Sequence, residues 1–465
     1  MAVLTVAANG ARAEKVLATV DGWQIYSDGR AGGFISYVHG DGYPQPDYGR
    51  DAMGNFVTTP VDTPQEGAGF RSVGSQSLAF DPGMTGNQPV YTQGTIDLWR
   101  LRSGFISNVF GFGGRGPLTG STNLTVYVQF WAFVENNNRQ KNTPNYPDAR
   151  QGYAKLDGPW GSFTMGRTRT LFSRGATDID VLYAHRWGLG WPGKLDNNGP
   201  TSGQLGFGVL GSGFSSSIIY GTPTIRGFQL NIGLFDPVQL QGDGAWTRTG
   251  FARPEAELTF ERSFGSSGWG KIVLFANGAY QKVYKDSYCV PVLDSDTMKN
   301  IPCEQSVAGA GFGGRLELGP VHLGVAGHYG RGLGMYYAVE ASDAAQDKEG
   351  NLRTISGTYV QSQVVLGKVD LFAGWGIAQV FLTDYDGKHK VQDPRDPMNP
   401  AARVLPFSVP KYQMGVNAGI VYNVSPALHV DLDFFRAEAA WYGVNGFAAH
   451  DQVVLVGNGG MTINW

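Results

Sequence analysis

Apolar and polar residues alternate with a period of two along most of the chain, the mark of strands with one buried face. Phe228, Leu230, Ile232 and Leu234 fall on one side of such a segment, with Gln229 and Asn231 on the other. Ala308, Ala310, Phe312, Leu316 and Leu318 likewise oppose Arg315 and Glu317. Tyr412, Met414, Val416, Ala418, Ile420 and Tyr422 form another apolar face, with a tyrosine near each end. Extended along the chain, the pattern predicts strands at 23–39, 94–112, 121–135, 149–157, 161–168, 214–222, 226–236, 252–263, 269–282, 306–318, 321–331, 353–367, 369–382, 409–423, 427–441 and 447–465. That is sixteen, with no amphipathic helix between them. The second and thirteenth alternate too poorly for their faces to be assigned.

The connections alternate in length. Short ones read Gly113 to Gly120, Asp157 to Gly161, Thr222 to Gly227, Phe264 to Gly268, Gly319-Pro320, Gly367-Lys368 and Asn423 to Pro426. The others are mostly long: 40–93, 136–148, 169–213, 237–251, 283–305, 332–352 and 383–408, with 442–446 as the short exception. Short turns at one end and long loops at the other are the layout of an outer-membrane barrel, with the turns periplasmic. An even strand number returns both termini to that end. Closure also removes the sheet edges that lipid could not satisfy. The fold class expected is therefore all-β: a transmembrane antiparallel β-barrel of 16 strands.

Composition agrees. Charged residues are 16% of the chain and aromatic residues 12%, against about 25% charged in soluble domains. Mean hydropathy of -0.19 excludes a bundle of membrane helices, and no apolar run reaches the ~18 residues a spanning helix needs. No basic tract points to nucleic acid. At the start, Ala2 to Ala8 is apolar, and Ala11-Arg12-Ala13 has the small-x-small form of a signal cleavage site before Glu14. Residues 1–13 are accordingly expected to be the remnant of a secretory signal, and 14–465 a single barrel domain.

Residues 150 to 174, RQGYAKLDGPWGSFTMGRTRTLFSR, make a hairpin around Asp157-Gly158-Pro159-Trp160-Gly161 with an arginine-rich exit. This string resembles the signature of the Gram-negative general porins: an R-Q-x-aromatic-x-x-L arm, a G-x-x-G turn and a closing G-R before the third loop. Ser215 to Leu230, SSSIIYGTPTIRGFQL, is similar to a second hairpin of that family, and Phe110 to Phe130 more faintly to a third. The C-terminal half rests on pattern. The resemblance implies a water-filled outer-membrane pore for small hydrophilic solutes and ions, exported through the periplasm, without a cofactor or catalytic site. It implies a homotrimer in contact with the lipid bilayer and lipopolysaccharide. The closing MTINW suits recognition by the outer-membrane insertion machinery, with Trp465 where the family usually has phenylalanine.

In the family, the third loop (here 169–213) folds into the pore and its carboxylates face a wall cluster of arginines. Fixed charges beside low-dielectric walls are weakly screened, so they bias ion passage. The resemblance places Asp178 and Asp180 on the loop and Arg167 at the family's G-R position on the wall; Arg169 and Arg174 are further candidates. The family's second-strand arginine falls on Val109, and Arg100, Arg102 or Arg150 could stand in for it, although alternation puts Arg150 with Ala154 and Leu156. Glu255, Glu257 and Glu261 share one face of the eighth strand, opposite Leu258 and Phe260, and Asp431 and Asp433 share one face of the fifteenth. Charged side chains facing lipid are costly, so these carboxylates, with Arg315 and Glu317, are read as pore lining. A solvated wall explains such pairs more simply than the cleft of a glycosidase.

Cys289 and Cys303 both fall in a predicted external loop of an oxidising compartment and are expected to pair. Gly309-x-Gly311-x-x-Gly314 is followed by a strand rather than a helix, so it is no dinucleotide site. Asp294-x-Asp296 has Lys299 where a calcium loop needs glycine. His322 and His328 share a lumenal face but stand too far apart to share a metal. Two alternatives stay open. One is a sugar- or anion-selective channel on the same barrel, with Phe172, Tyr183, Trp187 and Trp191 lining the path or packing the loop. The other is a surface adhesin or outer-membrane enzyme using segment 40–93.

Overall fold

A computed structural model describes residues 14–41, 95–102, 108–132, 148–180, 204–238, 246–248, 251–265, 269–285, 292–293, 300–301, 303–335, 345–347, 350–388, 390–392, 398–401, 403–404, 409–444, 447–448 and 451–465. Sixteen antiparallel staves form a closed barrel. They are β1 (Trp23–Asp41), β2 (Thr95–Arg102 and Asn108–Thr119), β3 (Thr122–Ala132), β4 (Asp148–Gly158), β5 (Gly161–Arg169), β6 (Phe214–Gly221), β7 (Phe228–Phe235) and β8 (Arg253–Phe264). The circuit continues through β9 (Gly270–Lys285), β10 (Glu304–Leu318), β11 (Val321–Arg331), β12 (Thr354–Leu366), β13 (Val369–Phe381), β14 (Pro410–Asn423), β15 (Leu428–Trp441) and β16 (Gln452–Asn464). Pairing of β16 with β1, from Arg30↔Asn464 to Gly40↔Val454, closes it. Among the described residues no helix is long and apolar enough to cross a membrane; the crossing elements are strands.

Cross-strand partners share a face, so register and exposure together separate the two walls. Large apolar side chains such as Met165, Ile232, Phe312, Val416 and Leu432 are exposed on the outside, where lipid covers them. Aromatic residues mark both rims of this belt. Trp160, Tyr220, Trp269 and Tyr422 lie near the short turns, and Trp99, Tyr284, Tyr329 and Phe381 near the long loops.

Three expectations change. The second strand runs on to Thr119, so Gly113 to Gly120 is not the turn; only Gly120-Ser121 separates β2 from β3. Gly113, and Gly111 just before it, make room for side chains of the neighbouring strands. A Cβ on Gly113 would lie 2.3 Å from the Tyr26 ring, and one on Gly111 2.3 Å from Tyr127 Oη. Both tyrosines thus lie flat across β2 on the inner wall. The last strand begins at Gln452 rather than 447, because Phe447–Ala448 pairs with Gly443–Val444 in a small loop hairpin. The faces of β13 also become clear. Leu371 and Trp375 point out, while Phe372, Ala378 and Val380 are buried inside. Both faces are apolar, which is why alternation failed there.

A short N-terminal strand, Lys15–Val20, pairs with β1 on the same edge as β16 and continues that edge past Trp465. Gly29 and Trp465 exchange both backbone hydrogen bonds, at 2.7 and 3.1 Å. The indole crosses Gly29 and meets the Phe110 ring at 5.6 Å. Residues 1–13 and Cys289 lie outside the described residues.

Candidate functional site

The segment between β5 and β6 holds the inner wall of half the barrel. Its first described part, 170–180, contains one short helix, α1 (Arg174–Ile179), preceded by Ser173 with φ 66°. Leu171 packs with Ile219 and Phe235 of β6 and β7. Phe172 joins an apolar cluster with Leu210 and with Val283, Val307, Ile355 and Val380 of the wall. Ile179 and Val209 pack on Val273, Phe275, Ala326 and Tyr359. In the returning part, 204–213, the Phe207 ring meets that of Phe435 on β15, 5.1 Å away.

Polar contacts fix this segment where apolar ones do not. The Phe172 backbone N–H donates to Glu255 Oε2 at 2.8 Å, and Arg253 Nε to Glu255 Oε1 at 2.7 Å. Arg174 Nε donates to Glu257 Oε2 at 2.8 Å. Arg169 bridges Asp178 Oδ1 at 2.7 Å and Ser212 Oγ at 3.0 Å. Buried Asp180 accepts from Gln361 Nε2 at 2.5 Å and from the Gln204 backbone N–H at 3.2 Å. Tyr359 donates to the Ala176 carbonyl at 2.7 Å.

The polarity is therefore not the one the sequence led us to expect. Asp178 and Asp180 do not face a row of wall arginines: Asp178 pairs with Arg169 at the end of its own hairpin, and Asp180 is held by amides. A second ionic contact runs the other way, from Arg174 of the segment to Glu257 of the wall. Glu255 and Glu257, read from the sequence as pore lining, are instead anchors buried beneath the segment. Phe172 is fully buried in packing; Tyr183, Trp187 and Trp191 lie outside the described residues.

Arg167 departs furthest from expectation. It is in register with Gly152 and Ser216, one step from inward Gly166 and Ser217, and shares the outward face with Met165. It is not on the lumenal wall. Arg150 moves the opposite way. A register shift between Gln129 and Phe130 marks a bulge in β4 at this residue, which reverses its side. Its guanidinium lies 4.6 Å over the inward Trp131 ring and 2.7 Å from Asp148. Val109 is inward and buried, and Arg30 stands in register beside it on β1. The inner wall thus carries arginines at Arg30 and Arg150, flanking Val109 and Trp131. Arg253, which the sequence reading passed over, was signalled by its place two residues before Glu255 on the same face.

Glu261, Arg315, Glu317, Asp431 and Asp433 are inward and mostly paired. Glu261 meets Lys271 and Arg315 meets Glu317, each at 2.7 Å. Asp433 accepts from Asn458 Nδ2 at 2.7 Å, and Asp431 is buried beside it on the same face. Arg100 and Arg102 are in register with Ser36 and Phe34. Cys303, before β10, is not a free thiol. Across β1 to β5 a hydrogen-bonded row runs from Asp28 through Tyr127, Gln129 and Gln151 to Thr168. Below it, Tyr26, Tyr127 and Tyr153 follow one another at 6.3 and 5.5 Å. Among the described residues no group of three or more His, Cys, Asp or Glu could hold a metal.

No curated protein matches the chain. Among solved structures it is similar to the outer-membrane channel DcaP of Acinetobacter baumannii, with a TM-score of 0.59 at 12% identity over 97% of this chain and 99% of that one. It is also similar to an anion-selective porin from Comamonas acidovorans, with a TM-score of 0.53 at 11% identity over 95% and 100%. At these identities the likeness is one of fold. A family model described as Gram-negative porin matches residues 1–455. A closed sixteen-stranded barrel with an apolar outer belt, matched almost end to end by that model, belongs to the Gram-negative porin family and is an integral outer-membrane channel protein.

Proposed function

We propose that the chain forms a water-filled pore for passive diffusion of small hydrophilic solutes and ions. One observation carries this reading. The described parts of the 169–213 segment pack along the inner wall from β6 to β16, which leaves the wall from β1 through β5 to border the passage. In this reading the constriction lies between that wall and the segment. Arg30 and Arg150 supply its positive side, and Arg169, Arg174, Asp178 and Asp180 hold the segment in place. Purified protein in a planar bilayer is expected to give stepwise conductance, with a size limit for uncharged solutes; a sealed bilayer at high protein load would overturn the reading.

The tyrosine row on β1, β3 and β4 favours a second reading, a channel selective for sugars, because aromatic faces suit the apolar faces of sugar rings. Concentration-dependent block of the conductance by one sugar and not by its isomers would decide for it.

The assembly we infer is a homotrimer. An outward arginine costs about 2–4 kcal/mol against lipid at the membrane midplane, and a subunit contact around Arg167 would remove that cost. Export with cleavage before Glu14, a Cys289–Cys303 bridge, lipopolysaccharide around the outer rim and recognition of Trp465 during insertion complete the proposal. N-terminal sequencing, thiol labelling without reductant and cross-linking test the first two and the trimer.

A further inference from the structure

At the long-loop rim the outward face of β9 to β11 carries a polar patch framed by three tyrosines. Tyr280, Lys282 and Tyr284 alternate outward on β9. Their register partners on β10 are Ala308, Ser306 and Glu304. On β11, Arg331 is in register with Ala308 and Tyr329 with Ala310. The three tyrosines are exposed, and so are Arg331, Ser306, Ala308 and Ala310. The small side chains thus leave an open floor between the rings, with a cation on either side. Lys282 and Arg331 stand two strands and two residues apart, about 12 Å between Cα atoms.

The charges do not cancel. Lys282 pairs with Glu304, and both side chains stay exposed. Arg331 donates to the Leu352 carbonyl at 3.3 Å and to Gln305 Oε1 at 3.5 Å. Among the described residues Glu304 is the one carboxylate on this outward face, so the two cations leave a positive excess. Tyr280 and Ser306 bond each other at 3.0 Å and present hydroxyls beside it. Toward the membrane the same face turns apolar, with Leu274, Phe312 and Val325 exposed. Cationic above and apolar below, it suits an amphiphile with an anionic head rather than a water-soluble anion. The patch also lies half the circumference from the β16–β1 seam and four strands from Arg167, so a subunit contact there leaves it open to lipid.

We propose that this face is a docking site for one lipopolysaccharide molecule of the outer leaflet. Its phosphates lie on Lys282 and Arg331, its sugars against Tyr280, Tyr284 and Tyr329, and its acyl chains along Leu274, Phe312 and Val325. Basic side chains at a membrane surface attract anionic headgroups, and tyrosines sit at the boundary with an apolar body and a polar tip. The site gives a place to the lipopolysaccharide rim proposed above and rests on it.

The test uses the full chain refolded in detergent without lipid, titrated with the lipid anchor of lipopolysaccharide in its diphosphoryl and dephosphorylated forms. Native mass spectrometry reads the lipid retained per barrel. Wild type is expected to prefer the diphosphoryl form. Combined Lys282→Gln and Arg331→Gln should weaken its binding about ten-fold or more, the loss expected of two cations at an anionic headgroup layer. Arg262→Gln, an outward cation near the short turns, should leave it unchanged. Excess inorganic phosphate should not displace the lipid; displacement would mean a free-phosphate site and overturn the proposal. Undiminished binding by the double variant, or an equal loss in Arg262→Gln, would overturn this site alone. Should the double variant not fold, unchanged binding in both single variants has the same force. A wild type that retains neither form would defeat the lipopolysaccharide rim itself.

Discussion

Two arginines of one hairpin, Arg150 and Arg167, show how much depends on which way a single side chain points. Arg150 faces the lumen over Trp131, while Arg167 faces out beside Met165. A unit charge about 4 Å from a passing ion in water-like surroundings is worth about 1 kcal/mol, or about five-fold in a permeability ratio. Arg150→Gln is therefore expected to move the reversal potential toward cations by that order, and Arg167→Gln to leave it unchanged. The reverse result would mean that the facing described above is wrong. Sequence could not have foreseen this. Strict alternation gives Arg150 the outward side, and the bulge that reverses it has no signal in Asp148-Ala149-Arg150-Gln151. Glu255, Glu257, Asp431 and Asp433 follow their strands without interruption, and for them the inward face was legible.

At the level of elements, β8 and the segment it anchors act as one unit. Glu255 is almost completely buried and binds two groups at once, the Phe172 N–H and Arg253. Removing one partner of a buried ion pair costs about 3–5 kcal/mol, because the other is left charged without compensation. Glu255→Ala is expected to destabilise the barrel by that order and to raise open-channel noise, since the 170–180 stretch loses its hold; quiet channels of wild-type stability would show that the anchor is dispensable. A comparable joint sits at the same long-loop rim, beyond β12 and β13. Arg353 is held by Asp386 of α2 (Asp384–Lys388) through bonds of 2.8 and 2.9 Å, and Asp386 also accepts from the Thr383 N–H. Asp386→Ala should lower thermal stability by a similar amount while leaving ion selectivity alone, as read by heat-dependent gel mobility and reversal potential. Element positions were largely legible, because turns and alternation are local. What each loop covers was not, because it depends on contacts between distant residues such as Phe207 and Phe435.

Closure is a property of the whole molecule, since one seam, β16 against β1, completes the sheet that lipid would otherwise meet as an open edge. The seam is closely packed at Gly29. A Cβ there would lie 2.2 Å from the Trp465 ring and 2.7 Å from the Val109 carbonyl. Gly33, on the same strand and the same outward face, has nothing within 4 Å of its virtual Cβ. The two positions therefore separate two explanations for glycine in β1. If strand propensity alone mattered, replacing either by valine would be equally tolerated, because β-branched residues suit strands. If the seam needs a bare backbone for the indole, only Gly29→Val should suffer, by the 1–3 kcal/mol or so typical of overpacking and by more if the Gly29–Trp465 hydrogen bonds are lost. The measurement is the fraction of chain that refolds into a compact, heat-modifiable barrel in detergent. Gly29→Val is expected to lower it clearly and Gly33→Val to leave it near wild type. Equal yields would mean that Trp465 can leave its place without harm, and that the seam is held by the β16 ladder above it.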